Sequence, residues 1–202
     1  MTSDLKSKVA REAANLLYCG AEKEYKQAKT RAAQMLGTHF LPSNLDVALE
    51  LDRLAEEREG ENRVERLIQM REEALQVMKL LDAFCPLLIG SVWRGTARRG
   101  SDIDIAVYAD DPEKIVGAIK AAGLKVMGTR WTTVNKHGRT LASLNVQAQT
   151  ASGHGLEIVV RSGEEQGEKR KCEIFGDEIK GLKTKELEKV LRNNPSARFL
   201  PA

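Results

Sequence analysis

The sequence predicts an α+β protein in which an N-terminal helical unit precedes a mixed β-sheet flanked by helices. Two kinds of periodicity lead to this prediction. Apolar residues recur at helical spacing through residues 4–84, and β-formers with alternating faces follow over residues 102–108 and 156–161. A third observation is that Gly and Pro stand between these segments, where they end helices and open turns. We therefore expect a helical region over residues 1–84 and a sheet domain over residues 85–202.

The helical region divides at its glycines and prolines. Small and apolar residues over positions 9–35 predict one long helix or two shorter ones. Ser43 and Asp46 have the spacing of a capping box and predict the start of the next helix. Gly60 breaks the chain again, and a further helix extends until Pro86 stops it. We expect about three helices, whose apolar stripes face a core.

The first strand of the predicted sheet is the apolar run Pro86 to Ile89, which Gly90 and Ser91 end with a tight turn. Residues 92–99 then predict a short helix. Its first amides and the Ser91 hydroxyl would face an anion, for which a triphosphate is the natural candidate. Arg94 is the first candidate among the arginines of this segment for a phosphate contact. The alternative is a solvated arginine.

Two carboxylates, Asp102 and Asp104, stand two residues apart in the next predicted strand and therefore point to the same face. Ile103 and Ile105 take the opposite face, where they can pack into a core. Two acids on one face repel each other unless a cation lies between them. Mg²⁺ prefers carboxylate oxygens together with water and substrate phosphates. The pattern therefore predicts the edge of a metal and nucleotide site.

A helix and a hairpin are predicted after this strand. Asp111-Pro112 begins the helix and Gly123 ends it. Residues 125–134 and 140–150 are rich in Thr, Val and Leu and predict two strands. The loop over residues 135–139 joins them, and its basic residues could touch substrate or form an ordinary exposed tip.

One more strand carries an acid. Over residues 155–161, the even-numbered positions are apolar and point to one face of the strand. Glu157 and the other odd-numbered positions point to the opposite face, so the acid lies on one defined face. His154, in the turn before it, is either an ordinary turn residue or a catalytic or metal-binding one. We also expect a short strand over residues 172–175 and a helix over residues 184–191.

The stretch Gly90 to Tyr108, GSVWRGTARRGSDIDIAVY, joins a Gly-Ser turn, a basic segment and an Asp-x-Asp pattern on the following strand. In this it resembles the signature of the DNA polymerase beta-like nucleotidyltransferase superfamily. Its Arg-Gly-Thr and Arg-Arg-Gly-Ser-Asp details are most similar to the minimal and archaeal members. The resemblance covers about residues 86–162 and implies a nucleotidyltransferase-type mixed sheet.

The resemblance implies a site of three carboxylates. Asp102 and Asp104 would hold two Mg²⁺ or Mn²⁺ ions, and Glu157 would stand where many relatives carry an aspartate on a neighbouring strand. The longer side chain leaves three roles open for Glu157, which are metal ligand, general base, or a residue that faces water. The nucleoside triphosphate, with ATP among the candidates, would contact Gly90, Ser91, Arg94 and Ser101.

The implied activity moves a nucleoside monophosphate from this triphosphate to an acceptor hydroxyl and releases pyrophosphate. The acceptor stays open between RNA, protein and a small molecule. Addition of CCA is disfavoured because about 40 residues after Arg161 cannot supply further tRNA-holding domains. Aminoglycoside modification is disfavoured because the helices come before the sheet. The alternative is a catalytically inactive nucleotide- or RNA-binding module on the same fold.

Composition sets the remaining expectations. With 202 residues and 42% hydrophobic content, the chain can bury a true core. The charged N-terminus and the short apolar stretches predict neither secretion nor a membrane partner. Three widely spaced cysteines favour a reducing cytoplasm. Residues 113–202 hold 16 basic and 10 acidic side chains, which favours an anionic partner there. The sequence gives no signal for an oligomeric state.

Overall fold

A computed structural model describes residues 2–136 and 139–201, and within them the chain has the predicted α+β fold. The helices are α1 (Thr2–Tyr18), α2 (Tyr25–Met35), α3 (Asn44–Glu59), α4 (Glu61–Leu80), α5 (Gly90–Arg94), α6 (Pro112–Ala121) and α7 (Thr184–Asn193). The strands are β1 (Leu87–Ile89), β2 (Ile103–Tyr108), β3 (Lys125–Lys136), β4 (Arg139–Gln149), β5 (Gly155–Arg161) and β6 (Leu182–Lys183). Short 3₁₀ turns cover Asp82–Phe84 and Gly163–Glu165.

The chain forms two compact units. The first contains α1 to α3 and the segment Arg170–Glu178. The second extends from Val64 to Lys169 and from Ile179 to Leu200, so it holds most of α4 together with the sheet. The functional division predicted between residues 84 and 85 stays a prediction.

The helices of the first unit pack around a small core of their own, in which Val9, Ala13 and Ala28 are completely buried. Four helices precede the sheet, where about three were expected. The predicted stretch over positions 9–35 is two helices, because the chain turns after α1 at Gly20, whose φ is +73°. The predicted capping box is confirmed, with Ser43 and Asp46 each bonding the other's backbone N–H at 3.0 and 2.8 Å.

The second unit is built on a six-stranded mixed sheet with the strand order β3-β4-β5-β2-β1-β6. Strands β2 and β5 run parallel to each other, and the other neighbouring pairs are antiparallel. One face of the central strands carries fully buried residues such as Ile103, Ile105 and Ile158. They pack in one core with Ile115 and Ile119 of α6. The alternation in the sequence is therefore the alternation between this core and the opposite face.

Three predicted elements differ in the structure. The helix expected over residues 92–99 is the five-residue α5, because Gly95 adopts a φ of +75° and ends it. Residues 172–175 form a turn rather than a strand, since the Gly176 N–H donates to the Cys172 carbonyl at 2.7 Å. Strand β3 extends two residues beyond its predicted end, and β4 begins and ends one residue earlier than predicted. Of the loop expected over residues 135–139, His137 and Gly138 lie outside the described residues.

Among the helices of the described part of the chain, none combines the length and the hydropathy that crossing a membrane requires.

Candidate active site

Gly90 and Asp104 meet at the end of β1. The antiparallel register pairs Ile89 with Asp104, so the residue after Ile89 comes against the Asp104 side chain. A β-carbon on Gly90 would lie 1.9 Å from Oδ2 of Asp104, and Gly90 has a φ of +70°. Only glycine satisfies both conditions, because a side chain would overlap the carboxylate and strain the backbone. The predicted Gly-Ser turn therefore holds the second aspartate of the Asp-x-Asp pattern.

Asp102 has a similar relation to another glycine. It lies just before β2, and a β-carbon on Gly155 would come within 2.0 Å of its Oδ1 atom. Gly155 is the first residue of β5, so the strand that carries Glu157 begins against the Asp102 carboxylate. The sequence analysis placed position 155 at the start of this strand and gave Gly155 no role at the site. A glycine at the start of a strand that holds an acid is the signal that could have identified it.

Glu157 lies in the same row of the sheet as Asp104. The parallel register of β2 and β5 pairs the two residues, and Gln147 of β4 is the partner of Glu157 on its other side. Residues paired in register project from the same face of a sheet. Asp104 and Glu157 are both half-buried, whereas Gln147 is exposed. The structure thus brings the three predicted carboxylates together. Asp102 lies against Gly155, the first residue of the strand that carries Glu157, and Glu157 is paired in register with Asp104.

The charges of these groups affect one another. The pKa of Asp104 is raised from 3.8 to about 7, chiefly by burial and in addition by the nearby carboxylates of Glu157 and Asp102. Burial removes the water that would stabilise the charged form of Asp104, and the two neighbouring carboxylates add negative charge beside it. A cation bound here would remove this repulsion.

The donor chemistry of the site fits a divalent cation. Hard cations such as Mg²⁺ and Mn²⁺ select carboxylate oxygens, and these three residues supply them. Among the described residues, no three or more acidic, His or Cys side chains enclose an ion by themselves. This is compatible with Mg²⁺, which commonly takes one or two carboxylates and completes its shell with water and substrate phosphates. The three carboxylates therefore fit the implied metals as one part of a shell.

The other residues predicted to bind nucleotide line the path from β1 to β2. Ser91 is half-buried in the first turn of α5, and its carbonyl accepts the Thr96 N–H at 2.9 Å. The Ser101 hydroxyl accepts the Arg98 N–H at 3.0 Å, and the Ser101 N–H donates to the Arg98 carbonyl at the same distance. Ser101 therefore closes the loop that delivers Asp102 to the site. A nucleotide contact by either serine stays a prediction.

Arg94 has partners within the protein. Its side chain is only 3% exposed, its guanidinium stacks 4.5 Å from the Trp93 ring centroid, and Nη1 donates to the Phe199 carbonyl at 3.1 Å. The Phe199 N–H in turn donates to the Arg94 carbonyl at 3.0 Å. The structure therefore joins Arg94 to the C-terminal segment, and the predicted phosphate contact stays a prediction.

Arg71 of α4 supports α5 from the protein interior. This residue is completely buried, and its guanidinium donates to the carbonyls of Val92 and Trp93 at 3.1 and 2.9 Å. It also donates to the carbonyls of Pro195 and Ala197 at 2.7 and 2.8 Å. These four bonds connect α4, α5 and the C-terminal segment. The sequence analysis missed Arg71, since a single arginine on a helical stripe gives no signal of burial.

His154 is held in the turn between β4 and β5. Its Nδ1 atom lies 3.0 Å from Oε2 of Glu73 on α4 and 3.2 Å from the Ser152 hydroxyl. The Ser152 hydroxyl also bonds the Glu73 carboxylate, and the His154 N–H donates to the Thr150 hydroxyl at 3.1 Å. This cluster anchors the turn immediately before Gly155. Of the two roles the sequence left open, the contacts describe a turn residue.

Comparison with known proteins bears on this arrangement. None of the curated proteins compared with the chain matches it. The solved structures with similarity include a cytoplasmic RNA terminal U-transferase with 14% identity and a TM-score of 0.30. They also include a GLD-2/RNP-8 complex, with 11% identity and a TM-score of 0.35. A third is the Cid1 poly(U) polymerase, with 14% identity and a TM-score of 0.32. The matched regions cover 58%, 60% and 50% of this chain, but only 34%, 40% and 33% of those chains, so the present chain spans well under half their length.

A protein-family model also matches this chain. The family model of the nucleotidyltransferase domain matches residues 87–192, which is more than half of the 202 residues. The match begins at the first residue of β1 and ends within α7, so it includes every strand of the sheet. It also includes the Gly90 turn and all three carboxylates. The chain therefore belongs to the nucleotidyltransferase domain family.

Proposed function

We propose that the protein is a metal-dependent nucleotidyltransferase that moves a nucleoside monophosphate from a nucleoside triphosphate to an acceptor hydroxyl. The observation that carries this proposal is the packing of the Asp104 carboxylate against Gly90, with Glu157 paired to Asp104 across the strands. A phosphate-binding turn and a group of acids thereby adjoin each other. Transfer chemistry needs this arrangement, because the phosphates and the reacting hydroxyl must meet at one cation-binding edge.

In this proposal the turn binds the leaving part of the triphosphate. Gly90 and Ser91 contact the β- and γ-phosphates through their backbone N–H groups and the Ser91 hydroxyl. Ser101 fixes the loop that leads to Asp102. Arg94 supports the turn through its bonds to the C-terminal segment. These contacts orient the α-phosphorus toward the acceptor.

The reaction forms one bond and breaks one. The acceptor oxygen bonds to the α-phosphorus, the bond from this atom to the bridging oxygen breaks, and pyrophosphate leaves with the electron pair. Glu157 accepts the proton of the attacking hydroxyl. Asp102 and Asp104 would hold two Mg²⁺ or Mn²⁺ ions, which stabilise the negative charge of the attacking and leaving oxygens when bound. A role of Glu157 as a further metal ligand is the alternative to its role as the base.

The remaining parts of the proposal concern the extent of the catalytic part, the cellular location and the substrates. The catalytic part extends over residues 85–202, and residues 1–84 form the N-terminal helical region. Free thiols at Cys19, Cys85 and Cys172 fit a reducing compartment, so a cytoplasmic location belongs to the proposal. ATP is one of the four common ribonucleoside triphosphates to be tested as the donor. The acceptor class is RNA, protein or a small molecule.

Labelled triphosphates test the proposal. The purified protein is incubated with each α-³²P-labelled nucleoside triphosphate, with Mg²⁺ or Mn²⁺, and with a cell extract that supplies acceptors. The control is the double variant Asp102→Asn/Asp104→Asn, which keeps the shape of both side chains and removes their charge. Label that appears on an acceptor only with the intact carboxylates supports transfer and reveals the acceptor class. Absence of label together with retained nucleotide binding would replace transfer by the alternative, an inactive binding module.

A further inference from the structure

The turn between β4 and β5, residues 150–154, is closed by hydrogen bonds of its own. The Thr150 N–H donates to the His154 carbonyl, and the Gly153 N–H donates to the Thr150 carbonyl, both at 3.0 Å. Gly153 has a φ of +93°, which favours glycine. These bonds give the turn a defined shape, but they do not fix its place against the neighbouring elements.

Glu73 of α4 fixes the turn from outside. The Ser152 hydroxyl donates to Oε1 of Glu73, and Nδ1 of His154 lies 3.0 Å from Oε2. The Thr150 hydroxyl also hydrogen-bonds this carboxylate. Among the described residues, the side-chain hydrogen bonds from this turn to another element all end on Glu73. The Glu73 and His154 side chains are only 15% and 19% exposed, so water competes little with these bonds.

The place of this turn matters for Asp102. Gly155 follows His154, and a β-carbon on Gly155 would lie 2.0 Å from Oδ1 of Asp102. The Asp102 carboxylate therefore lies against the backbone at the point where the turn ends and β5 begins. Asp102 is exposed in the loop before β2. A shift of the turn would consequently change the position of this carboxylate.

The helix α4 supports the other half of the candidate active site as well. Arg71 donates to two carbonyls of α5, whose first residue, Gly90, packs against Asp104. Arg71 and Glu73 are two positions apart, which on a helix of 3.6 residues per turn is a rotation of about 200°. Their side chains thus leave opposite sides of α4. Each side of this helix supports one of the two aspartates.

We propose that Glu73 is a positioning residue of the candidate active site, because it fixes Asp102 at a set distance from Asp104 through the turn before β5. Glu73 contacts neither substrate nor metal in this role. Cations held by two carboxylates require a definite distance between them, so a displaced Asp102 binds them less tightly. This inference rests on the proposed function in one respect, that Asp102 and Asp104 bind the metal ions.

Manganese binding tests this role. Free Mn²⁺ is measured by electron paramagnetic resonance while the protein is titrated without triphosphate, and urea unfolding establishes that each variant is folded under these conditions. Glu73→Ala should weaken Mn²⁺ binding about tenfold. Ser152→Ala removes one of the bonds to Glu73 without changing a charge, so it should weaken Mn²⁺ binding in the same direction. An unchanged affinity in folded Glu73→Ala would overturn the proposal.

Two controls separate position from charge. Glu72→Ala removes an exposed carboxylate from the same helix, so this variant should bind Mn²⁺ as the unaltered protein does. The second control combines Glu73→Ala with Asp102→Asn. The Glu73 change should have no further effect on Mn²⁺ affinity in this background, because the carboxylate through which it acts is already absent. An equal loss in both backgrounds would show that Glu73 acts through its own charge, contrary to the proposal.

Hydrogen exchange provides a readout without metal. In metal-free buffer, Glu73→Ala should speed amide exchange over residues 150–157 and also over residues 98–103, the segment that contains Asp102, and should leave α1 unchanged. Unchanged exchange over residues 98–103 would refute the link to Asp102. If the unaltered protein binds no Mn²⁺ but both segments exchange faster in the variant, metal-dependent transfer is rejected and the positioning of Asp102 by Glu73 is retained.

Discussion

Gly90 and Asp104 are fixed by each other, because the carboxylate oxygen of Asp104 fills the place of the β-carbon that Gly90 lacks. The contact joins the turn after β1 to the middle of the candidate site. It explains why a Gly-Ser turn and an Asp-x-Asp strand occur together in this sequence. A larger residue at position 90 would therefore displace the Asp104 carboxylate.

The first prediction concerns this contact. Gly90→Ala should reduce transfer at least 100-fold, since its methyl group displaces Asp104 by an ångström or more. The matched control is Gly123→Ala at the end of α6. Gly123 also has a positive φ, +77°, but its β-carbon would meet no atom within 4 Å. Steady-state kinetics and thermal melts of both variants distinguish steric overlap with Asp104, which only Gly90→Ala causes, from backbone strain at a positive φ, which both variants cause. Equal losses of activity in the two would contradict the assignment.

A second prediction follows from the raised pKa of Asp104. The carboxyl has a pKa of about 7 in the folded protein and about 3.8 in the unfolded chain, so the folded state binds the proton more tightly. Its contribution to stability is complete below pH 3.8 and is lost as the pH rises through 7. In metal-free buffer, Asp104→Asn should therefore raise the free energy of unfolding at pH 8, by at most about 4 kcal/mol, and leave it nearly unchanged at pH 4.

Urea unfolding in EDTA at these two pH values measures the effect. Mg²⁺ should then stabilise the unaltered protein and not the Asp104→Asn variant, because a ligand that binds the folded state raises its stability. A variant that is less stable than the unaltered protein at pH 8 would show that the Asp104 carboxylate is favourably paired in the folded state. The order of stabilities at pH 8 is thus the decisive observation.

Much of this arrangement could be predicted because its causes are local. The Gly60 break, the capping box at Ser43 and the alternation around Asp104 depend on residues within a few positions of one another. The pairing of Asp104 with Glu157 needed one further step, the recognition that acids in two apolar strands share an edge. The break, the capping box and the alternation can each be identified by reading a short window of sequence.

The supporting contacts could not be predicted in the same way. Arg94 looks like a phosphate ligand in the sequence, yet its guanidinium bonds the carbonyl of Phe199, 105 positions away. Arg71 bonds four carbonyls, and two of them are more than 120 positions away. Backbone carbonyls are present at every residue, so the sequence contains no pattern that selects these acceptors. Only the folded chain brings them to the buried arginines.

The third prediction concerns Arg71. Arg71→Met should lower the free energy of unfolding by about 3 kcal/mol or more, since it leaves buried carbonyls of α5 and of the C-terminal segment without donors. Removal of residues 195–202 eliminates two of the same bonds. The double variant should therefore be less destabilised than the sum of the two single changes. Strict additivity in urea unfolding would show that Arg71 and the segment act independently.

A fourth prediction concerns Glu73 and the turn before β5. Burial tends to raise the pKa of Glu73, but hydrogen bonds from Ser152, His154 and Thr150 outweigh it, so the pKa is lowered overall. The charged form thus stabilises the folded state above pH 4.5, and this contribution is lost as the pH falls through the folded pKa. Glu73→Gln should cost about 1–2 kcal/mol near pH 6 and much less at pH 3. A loss of stability that is independent of pH would show that the shape of the Glu73 side chain matters rather than its charge.

The last prediction separates chemistry from binding at Glu157. If this carboxylate accepts the proton of the attacking hydroxyl, Glu157→Gln should reduce kcat at least 100-fold and change KM for the triphosphate less than threefold. The neighbouring Gln147 is the matched control, because it pairs with Glu157 in register, is exposed, and carries no charge. Gln147→Ala should therefore leave kcat within a few-fold of the unaltered protein. Parallel losses of kcat and of triphosphate binding in Glu157→Gln would instead assign Glu157 to holding the metal and its nucleotide, since the bound triphosphate depends on that charge before any proton moves.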